Sequence, residues 1–275
     1  MRILAIGDLH GKLPEKIKKA AGKSDFVLCT GDFANVDKIR KIIFSNWGEK
    51  WFDVIGIKEA RKLEKESFNS GLKVLKELNE LGKKVHLIFG NSDFYEKRSI
   101  ENNLFVGNYK SKIKKMKNLV LVDKKIKKVN DIKIIGYGGY VDSTIYIKEN
   151  IDNTKEEHKK RVKEYNKDKK RLRKLVRGKR GFIFLTHYPP YKILDKIKYK
   201  GSPMNGKHLG FLPFNEVIKK NKPILVICGH MHEYQGKKKL GKTIVVNPGY
   251  GRMGRYAIME IDEQSKKIKS IEFGR

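Results

Sequence analysis

Ile3-Leu4-Ala5-Ile6-Gly7-Asp8-Leu9-His10-Gly11 begins with four apolar residues and ends with an acid and a histidine set between glycines. An apolar run of this length, closed by glycine and polar residues, has the pattern of a buried strand. A polar loop, a Lys-rich helix around Pro14–Ala21 and a second apolar run, Phe26–Cys29, follow it, and that run again ends in polar residues, Thr30-Gly31-Asp32. Further apolar runs read as strands at Val85–Phe89, Leu119–Val122, Ile132–Gly136, Phe182–Leu185, Ile224–Cys228, Thr243–Val246, Tyr256–Ile261 and Ile268–Phe273. Strands alternate with helices early and pair as hairpins late, which predicts a layered α/β protein with mixed sheets. The turn Asn130-Asp131 suggests a hairpin joining Leu119–Val122 to Ile132–Gly136.

Helical stretches are read from spacing. Phe68, Leu72, Leu75, Leu78 and Leu81 recur at three- and four-residue intervals and predict an amphipathic helix stopping at Gly82. Two insertions, 35–65 and 147–180, read as helical additions to one domain spanning 1–275. The first holds both tryptophans, Trp47 and Trp51, which are expected to form local core. The second is polar with almost no apolar stripe, so it is expected to be solvated or bound to a partner.

The chain has 275 residues, 63 Lys+Arg against 31 Asp+Glu, and a net charge of +32. With 39% hydrophobic residues in discrete runs it can bury a core, which excludes a wholly disordered chain. No apolar run reaches the ~18–20 residues that span a bilayer, and Met1 leads straight into a strand pattern without a secretory leader. Two cysteines, Cys29 and Cys228, do not make a disulfide framework and suit a reducing interior. The expectation is a soluble, basic, cytoplasmic protein that does not use a membrane. Lysine outnumbers arginine 51 to 12. Compositional drift and selection for a polyanionic partner both account for that excess.

Metal-capable residues sit at the exits of successive apolar runs. Asp8 and His10 follow the first strand, Asp32 the second, Asn91 the third, His187 the Phe182–Leu185 run, and His230 and His232 the Ile224–Cys228 run. Parallel strands bring their C-terminal ends together, where α/β folds place ligand sites. Alternate side chains leaving a strand point the same way, so Asp8/His10 and His230/His232 are each expected to grip an ion from one side. Two neighbouring ions need a shared ligand, and the carboxylate of Asp32 is the natural bridge.

Gly7-Asp8-Leu9-His10-Gly11, Gly31-Asp32, Gly90-Asn91-Ser92-Asp93, Thr186-His187 and Gly229-His230-Met231-His232, trailed by Asn247-Pro248-Gly249, occur in one order over residues 7–249. In this set and order the sequence resembles the calcineurin-like metallophosphoesterases. The resemblance implies a four-layer α/β sandwich of two mixed β-sheets flanked by helices, and a dinuclear centre. One ion would take Asp8, His10, Asp32 and His232, and the other Asp32, Asn91, His187 and His230. It further implies a hydroxide bridging the ions that attacks phosphorus in line, on a phosphate-ester substrate, with Asp32 and Asn91 at the reacting centre. Oxygen and imidazole ligands without thiolate suit two divalent ions, Mn²⁺ foremost, with Fe and Zn²⁺ also fitting.

The commonest third motif of that family has a histidine after the asparagine, and here the position is Ser92. Asp93 then has no imidazole to orient. His208, in the Gly-rich loop Gly201–Gly210, is the candidate replacement as proton donor. The leading expectation is a phosphodiesterase. A nuclease, a phosphomonoesterase and a catalytically weak nucleic-acid or protein-binding member of the fold are the alternatives.

Residues Lys155–Arg180 carry 14 Lys/Arg against four acids, and five of the twelve arginines fall here: Arg161, Arg171, Arg173, Arg177 and Arg180. Arginine is the better phosphate fork, which makes this segment the candidate polyanion-binding element and nucleic acid a candidate partner.

Overall fold

Alternation along β1 (Arg2–Ile6) sets the layering. Successive side chains point to opposite faces. Ile3 and Ala5 enter one buried cluster, Leu4 and Ile6 another. The computed structural model describes residues 1–95, 104, 106–145 and 154–275. β1 lies in a row of parallel strands with β2 (Phe26–Cys29), β3 (Val85–Leu87) and β4 (Leu119–Leu121). On its other side β11 (Tyr256–Ile261) pairs antiparallel with β1 and β12 (Ile268–Gly274) antiparallel with β11, giving the order β12-β11-β1-β2-β3-β4.

The second sheet has β6 (Ile132–Tyr137), β7 (Phe182–Thr186), β8 (Leu225–Ile227) and β10 (Thr243–Asn247) in parallel. Antiparallel edges, β5 (Ile126–Val129) and β9 (Gly236–Leu240), complete the order β5-β6-β7-β8-β10-β9. Ile3, Leu28 and Ile88 meet Ile134, Leu185 and Ile227 between the sheets. The outer face of the first sheet packs on α1 (Glu15–Gly22), α4 (Ile57–Asn79) and α5 (Tyr109–Ile113), through Ile17, Val74 and Ile113. The outer face of the second packs on α6 (Lys155–Val176) and α7 (Leu212–Asn221), through Leu172, Val176 and Phe214. The result is helix, sheet, sheet, helix: two mixed six-stranded sheets in a four-layer α/β sandwich.

Several expectations change. The Asn130-Asp131 turn joins β5 to β6, while Leu119–Leu121 pairs with β3 in the other sheet. β5 and β9 escape the apolar reading because they are edge strands carrying lysines, Lys127, Lys128 and Lys237–Lys239, which guard an edge against further pairing. The 35–65 segment is helical as α2 (Asp37–Ser45), α3 (Trp51–Ile55) and the start of α4, but α4 runs on unbroken through residue 65. In the 147–180 segment, residues 147–153 lie outside the described residues and the remainder is chiefly α6. Thr154 caps that helix through a reciprocal capping box with Glu157. α6 is not polar all round, because Leu172 and Val176 are buried and the Tyr165 ring lies 5.6 Å from Phe211. Among the described residues no helix is long and apolar enough to cross a membrane.

His86, on β3, is a buried imidazole whose Nδ1 has no hydrogen-bond partner, with the Phe26 ring 5.4 Å away. Burial first, then the charges of Lys127 and Lys84, push its pKa down to about 4. Unfolded, this group binds its proton near pH 6.5. Its favourable contribution is therefore present above pH 6.5 and is lost as pH falls toward 4. Chemical denaturation at pH 7 and pH 4.5 should show His86→Leu losing about 2 kcal/mol less than the parent chain over that interval. Equal losses would place the acid sensitivity elsewhere.

Candidate metal centre

The sequence-derived ligand residues lie beyond the C-terminal ends of five strands: β1, β2 and β3 in one sheet, β7 and β8 in the other. Four of them hold a left-handed backbone: Asp8 (φ 54°), His10 (φ 40°), Asp32 (φ 58°) and His230 (φ 68°). Non-glycine residues adopt this at a cost of about 1–3 kcal/mol each, and only where the surroundings over-determine it. Here they do. Asp8 N–H donates to Gly31 O (2.9 Å), His10 N–H to Asp32 O (2.9 Å) and Gly229 N–H to His187 O (2.9 Å). His230 N–H donates to the Asp8 carboxylate (3.0 Å), stitching one sheet to the other. Gly31 (φ 95°) packs so closely on Gly90 that a Cβ would run into the Gly90 backbone, and a Cβ on Gly90 would strike the Asp32 carboxylate.

The side chains converge in two groups. Ligand atoms of Asp8, His10, Asp32 and His232 all lie within 4.8 Å of one another, with His10 Nε2 and His232 Nε2 3.0 Å apart. In the second group His187 Nε2 and His230 Nδ1 each lie 2.8 Å from Asn91 Oδ1. Asp32 Oδ2 stands between the groups, 3.5 Å from His10 Nε2 and 3.6 Å from His187 Nε2. The i, i+2 pairs do not act as strand alternation suggested. Asp8 and His10 share a group, but through left-handed backbone, and His230 and His232 divide between the two groups.

Backbone carbonyls fix the tautomers. His10 Nδ1 donates to Ala34 O (2.9 Å) and His187 Nδ1 donates to Thr30 O (2.8 Å). A neutral ring that donates from Nδ1 presents a lone pair at Nε2, and such outer hydrogen bonds are how metal-ligating imidazoles are oriented. Burial holds His10 at about 4 and His230 at about 3, so both rings are neutral near pH 7. Burial raises the Asp32 carboxyl, but the His187 and His10 imidazoles and the Ser92 N–H outweigh it and keep Asp32 below the usual carboxylate range. Asp8 is likewise lowered, with His232 overcoming burial. The donor set is thus carboxylate, amide oxygen and imidazole nitrogen, gathered about 3 Å from one another. Cations satisfy that arrangement. Bonds of about 2.0–2.2 Å place neighbouring ligand atoms about 3 Å apart, close to the separations found. The residues fit divalent ions.

Ser92 and Asp93 have supporting roles that sequence reasoning missed. Ser92 donates twice to Asp32, from N to Oδ1 (2.9 Å) and from Oγ to Oδ2 (3.2 Å). Asp93 accepts the backbone N–H groups of Asp32 (2.9 Å), Phe33 (2.7 Å) and Gly90 (2.8 Å). It clamps the Asp32 loop to the Asn91 loop. Burial, then the neighbouring Asp32 charge, raise it to about 7, against those backbone donors. Asn247, buried, donates to Met231 O (3.2 Å) and supports the His230–His232 loop. Tyr250 stacks on the His232 ring at 4.2 Å and Tyr188 lies over His230 at 4.0 Å.

His208 is not brought to the centre. Its Nδ1 is held 2.6 Å from the buried Asp195 carboxylate, which also accepts Gly210 N–H and Lys192 N–H, so the ring braces its own loop. Leu209 lines the cleft above the ligands, and His208 does not. Nor do the five arginines line it. Arg161 forks onto the buried Asp142, Arg173 pairs with Glu216, and Arg171 lies 3.8 Å from Asp168. Trp47 and Trp51 are not local core: both stand on the cleft wall. Cys29 and Cys228 are buried, unpaired and packed in the sheets.

This fold and this convergence define a class, and comparison with known proteins gives it a family. The calcineurin-like phosphoesterase family model matches residues 1–234. The chain belongs to that family. An uncharacterised protein of Methanocaldococcus jannaschii, MJ1162, is 28% identical over 255 residues, covering 90% of this chain and 88% of its own. Among solved structures, TT1561 of Thermus thermophilus aligns over 100% of this chain and 98% of its own, with TM-score 0.52 and 19% identity. A dimetal phosphatase from Danio rerio aligns over 94% and 92%, with TM-score 0.54 and 10% identity. At these identities the two structures speak for the fold.

Asp93→Asn puts an amide where two oxygens accept backbone N–H groups. A buried donor left facing a donor costs about 1–3 kcal/mol, so denaturant unfolding of the metal-free protein should show a loss of that size. Unchanged stability would remove Asp93 from its role as clamp.

Proposed function

We propose that this chain is a dinuclear metal-dependent phosphoesterase that hydrolyses phosphodiester bonds. One observation carries the reading: Asp32 Oδ2 stands 3.5 and 3.6 Å from imidazole nitrogens of two different ligand groups. Asp8, His10, Asp32 and His232 would hold one ion, and Asp32, Asn91, His187 and His230 the other. Mn²⁺ suits this oxygen-and-imidazole set best, with Fe and Zn²⁺ also compatible. When bound, such ions supply Lewis acidity that polarises phosphoryl oxygens and a water acidic enough to attack at neutral pH. The dimetal phosphatase of the same fold is in keeping with this reading. So is a reducing, cytoplasmic setting for two unpaired cysteines.

The chain's own residues orient and electrically prepare the site. Asp32 is kept ionised, and Ser92 and Asp93 hold its position. The His10 and His187 rings are turned to present Nε2. Ser92 is no substitute for an imidazolium acid, because its hydroxyl proton is committed to Asp32 and is too weakly acidic to protonate a leaving alkoxide. General acid help is worth about 10²–10⁴-fold, so esters whose alcohols already leave as stable anions are favoured. A diester fits a cleft of about 1160 Å³ that runs outward from Asn91 and His232 and gives a second substituent room.

With Mn²⁺ added, bis(p-nitrophenyl) phosphate should be cleaved faster than p-nitrophenyl phosphate. Asp32→Asn should reduce that rate by at least about 10²-fold and lower the metal content at both sites, while His10→Ala lowers it mainly at one. A faster monoester reaction would overturn the diester assignment. Two ions retained by Asp32→Asn would overturn the shared ligand.

A further inference from the structure

Trp47 and Trp51 are the only tryptophans in the chain, and both line the cleft that contains Asp32, Asn91 and His232. α3, with the sequence Trp51-Phe52-Asp53-Val54-Ile55, buries none of its residues, so its apolar side chains are not spent on the core. Trp47 is 50% exposed and Tyr199 is 58% exposed. Phe44 lies between them, with ring centroids 6.3 Å from each, so aromatic side chains run from α2 across to the 197–209 loop. Ile39, Ile43, Met204 and Leu209 add aliphatic wall. A contiguous apolar surface left open to water is unfavourable and marks a binding site.

Three of the polar groups on that wall are already engaged. Asp37 pairs with Arg252 and with Arg40, the Ser202 hydroxyl accepts Met204 N–H, and Glu233 accepts Lys198 N–H. Reading a nucleobase takes donors and acceptors aimed at its edges, whereas a hydrocarbon takes only area. The volume, about 1160 Å³, exceeds the roughly 300–1,000 Å³ of ordinary small-molecule sites. Lys41 on the same wall offers positive charge to an anionic head.

We propose that the cleft takes a long aliphatic chain, so that the substrate is an amphiphilic phosphoester with its phosphoryl group at Asp32, Asn91 and His232 and its hydrocarbon along the α2–α3 wall. The phosphoryl end rests on the phosphoesterase reading, and the apolar end does not.

Both tryptophans report on the cleft, which makes the test direct. The protein is titrated with butyl, octyl and dodecyl phosphate below their micellar concentrations while tryptophan emission is followed. Octyl phosphate should shift the emission to the blue and bind at least tenfold more tightly than butyl phosphate, since each fully buried methylene is worth up to about fourfold. Inorganic phosphate should give no blue shift. Tyr199→Ser, an exposed position that folding tolerates, combined with Phe44→Ser should flatten the dependence on chain length. Binding that ignores chain length, or a dependence unchanged in the double variant, overturns the proposal. So does naphthyl phosphate binding as tightly as dodecyl phosphate, which would replace the chain with a planar ring. Turnover is followed separately by phosphate release. Chain-dependent binding without hydrolysis would sink only the phosphoesterase reading, and hydrolysis of short esters without chain-dependent binding would sink only this one.

Discussion

Ligand-capable nitrogen and oxygen atoms gathered about 3 Å from one another govern the architecture around them. His187 Nε2 lies 2.8 Å from Asn91 Oδ1, and His10 Nε2 lies 3.0 Å from His232 Nε2. Gathering so many ligand-capable atoms in one place takes more than local structure, so the whole fold has to hold them together. Neither sheet supplies all the ligands, and the cores that press the sheets together therefore also assemble the site. Hydrogen bonds between loops, His230 N–H to Asp8 and His187 Nδ1 to Thr30 O, lock that register at the point of convergence. The left-handed residues on β1, β2 and β8 exits are the local cost of this arrangement, and the Gly31–Gly90 approach is its steric condition.

The central strands and the ligand positions were legible in the sequence for the same physical reason. Strands buried on both faces read as unbroken apolar runs, and a polar residue after such a run sits at a strand end. Edge strands carry no such signal. Gly236–Leu240 is mostly lysine, and its pairing with β10 depends on backbone hydrogen bonds that any sequence can make. The misplaced hairpin follows from that gap, since without β5 the turn at Asn130 had to be credited to β4. α6 concealed its docking because two residues near its C-terminal end, Leu172 and Val176, bury it while the rest stays wet.

Side-chain partnership was the least legible layer. Nothing in the spacing of His208 reveals that Asp195 claims its ring, or that Asp142 claims Arg161. Each pairing joins segments through the fold rather than through local pattern. The tryptophans misled for a related reason: large aromatic residues usually belong to a core, but Trp47 stands half exposed after α2 and Trp51 opens α3, none of whose residues is buried. Position 92 is the instructive case. Read against the family it is a loss, the histidine that should donate a proton. In the structure the serine that replaces it holds Asp32 from two atoms, so the residue that removes an acid also fixes the carboxylate that stands between the two groups. On the proposed reading such a centre would depend more on its ions and on the leaving group than on a side-chain acid, and the apolar cleft beside it would select substrates by their hydrocarbon.

Whether Asp32 joins two ions is the point on which the account turns, and the magnetic behaviour of the Mn²⁺-loaded protein decides it. Two Mn²⁺ ions sharing one carboxylate are exchange-coupled. Electron paramagnetic resonance of protein loaded with two equivalents should show the broad, multi-line spectrum of a coupled pair, collapsing to the six-line pattern of isolated ions in Asp32→Asn. A six-line spectrum of isolated Mn²⁺ in the unaltered protein at full loading would contradict the shared-ligand centre.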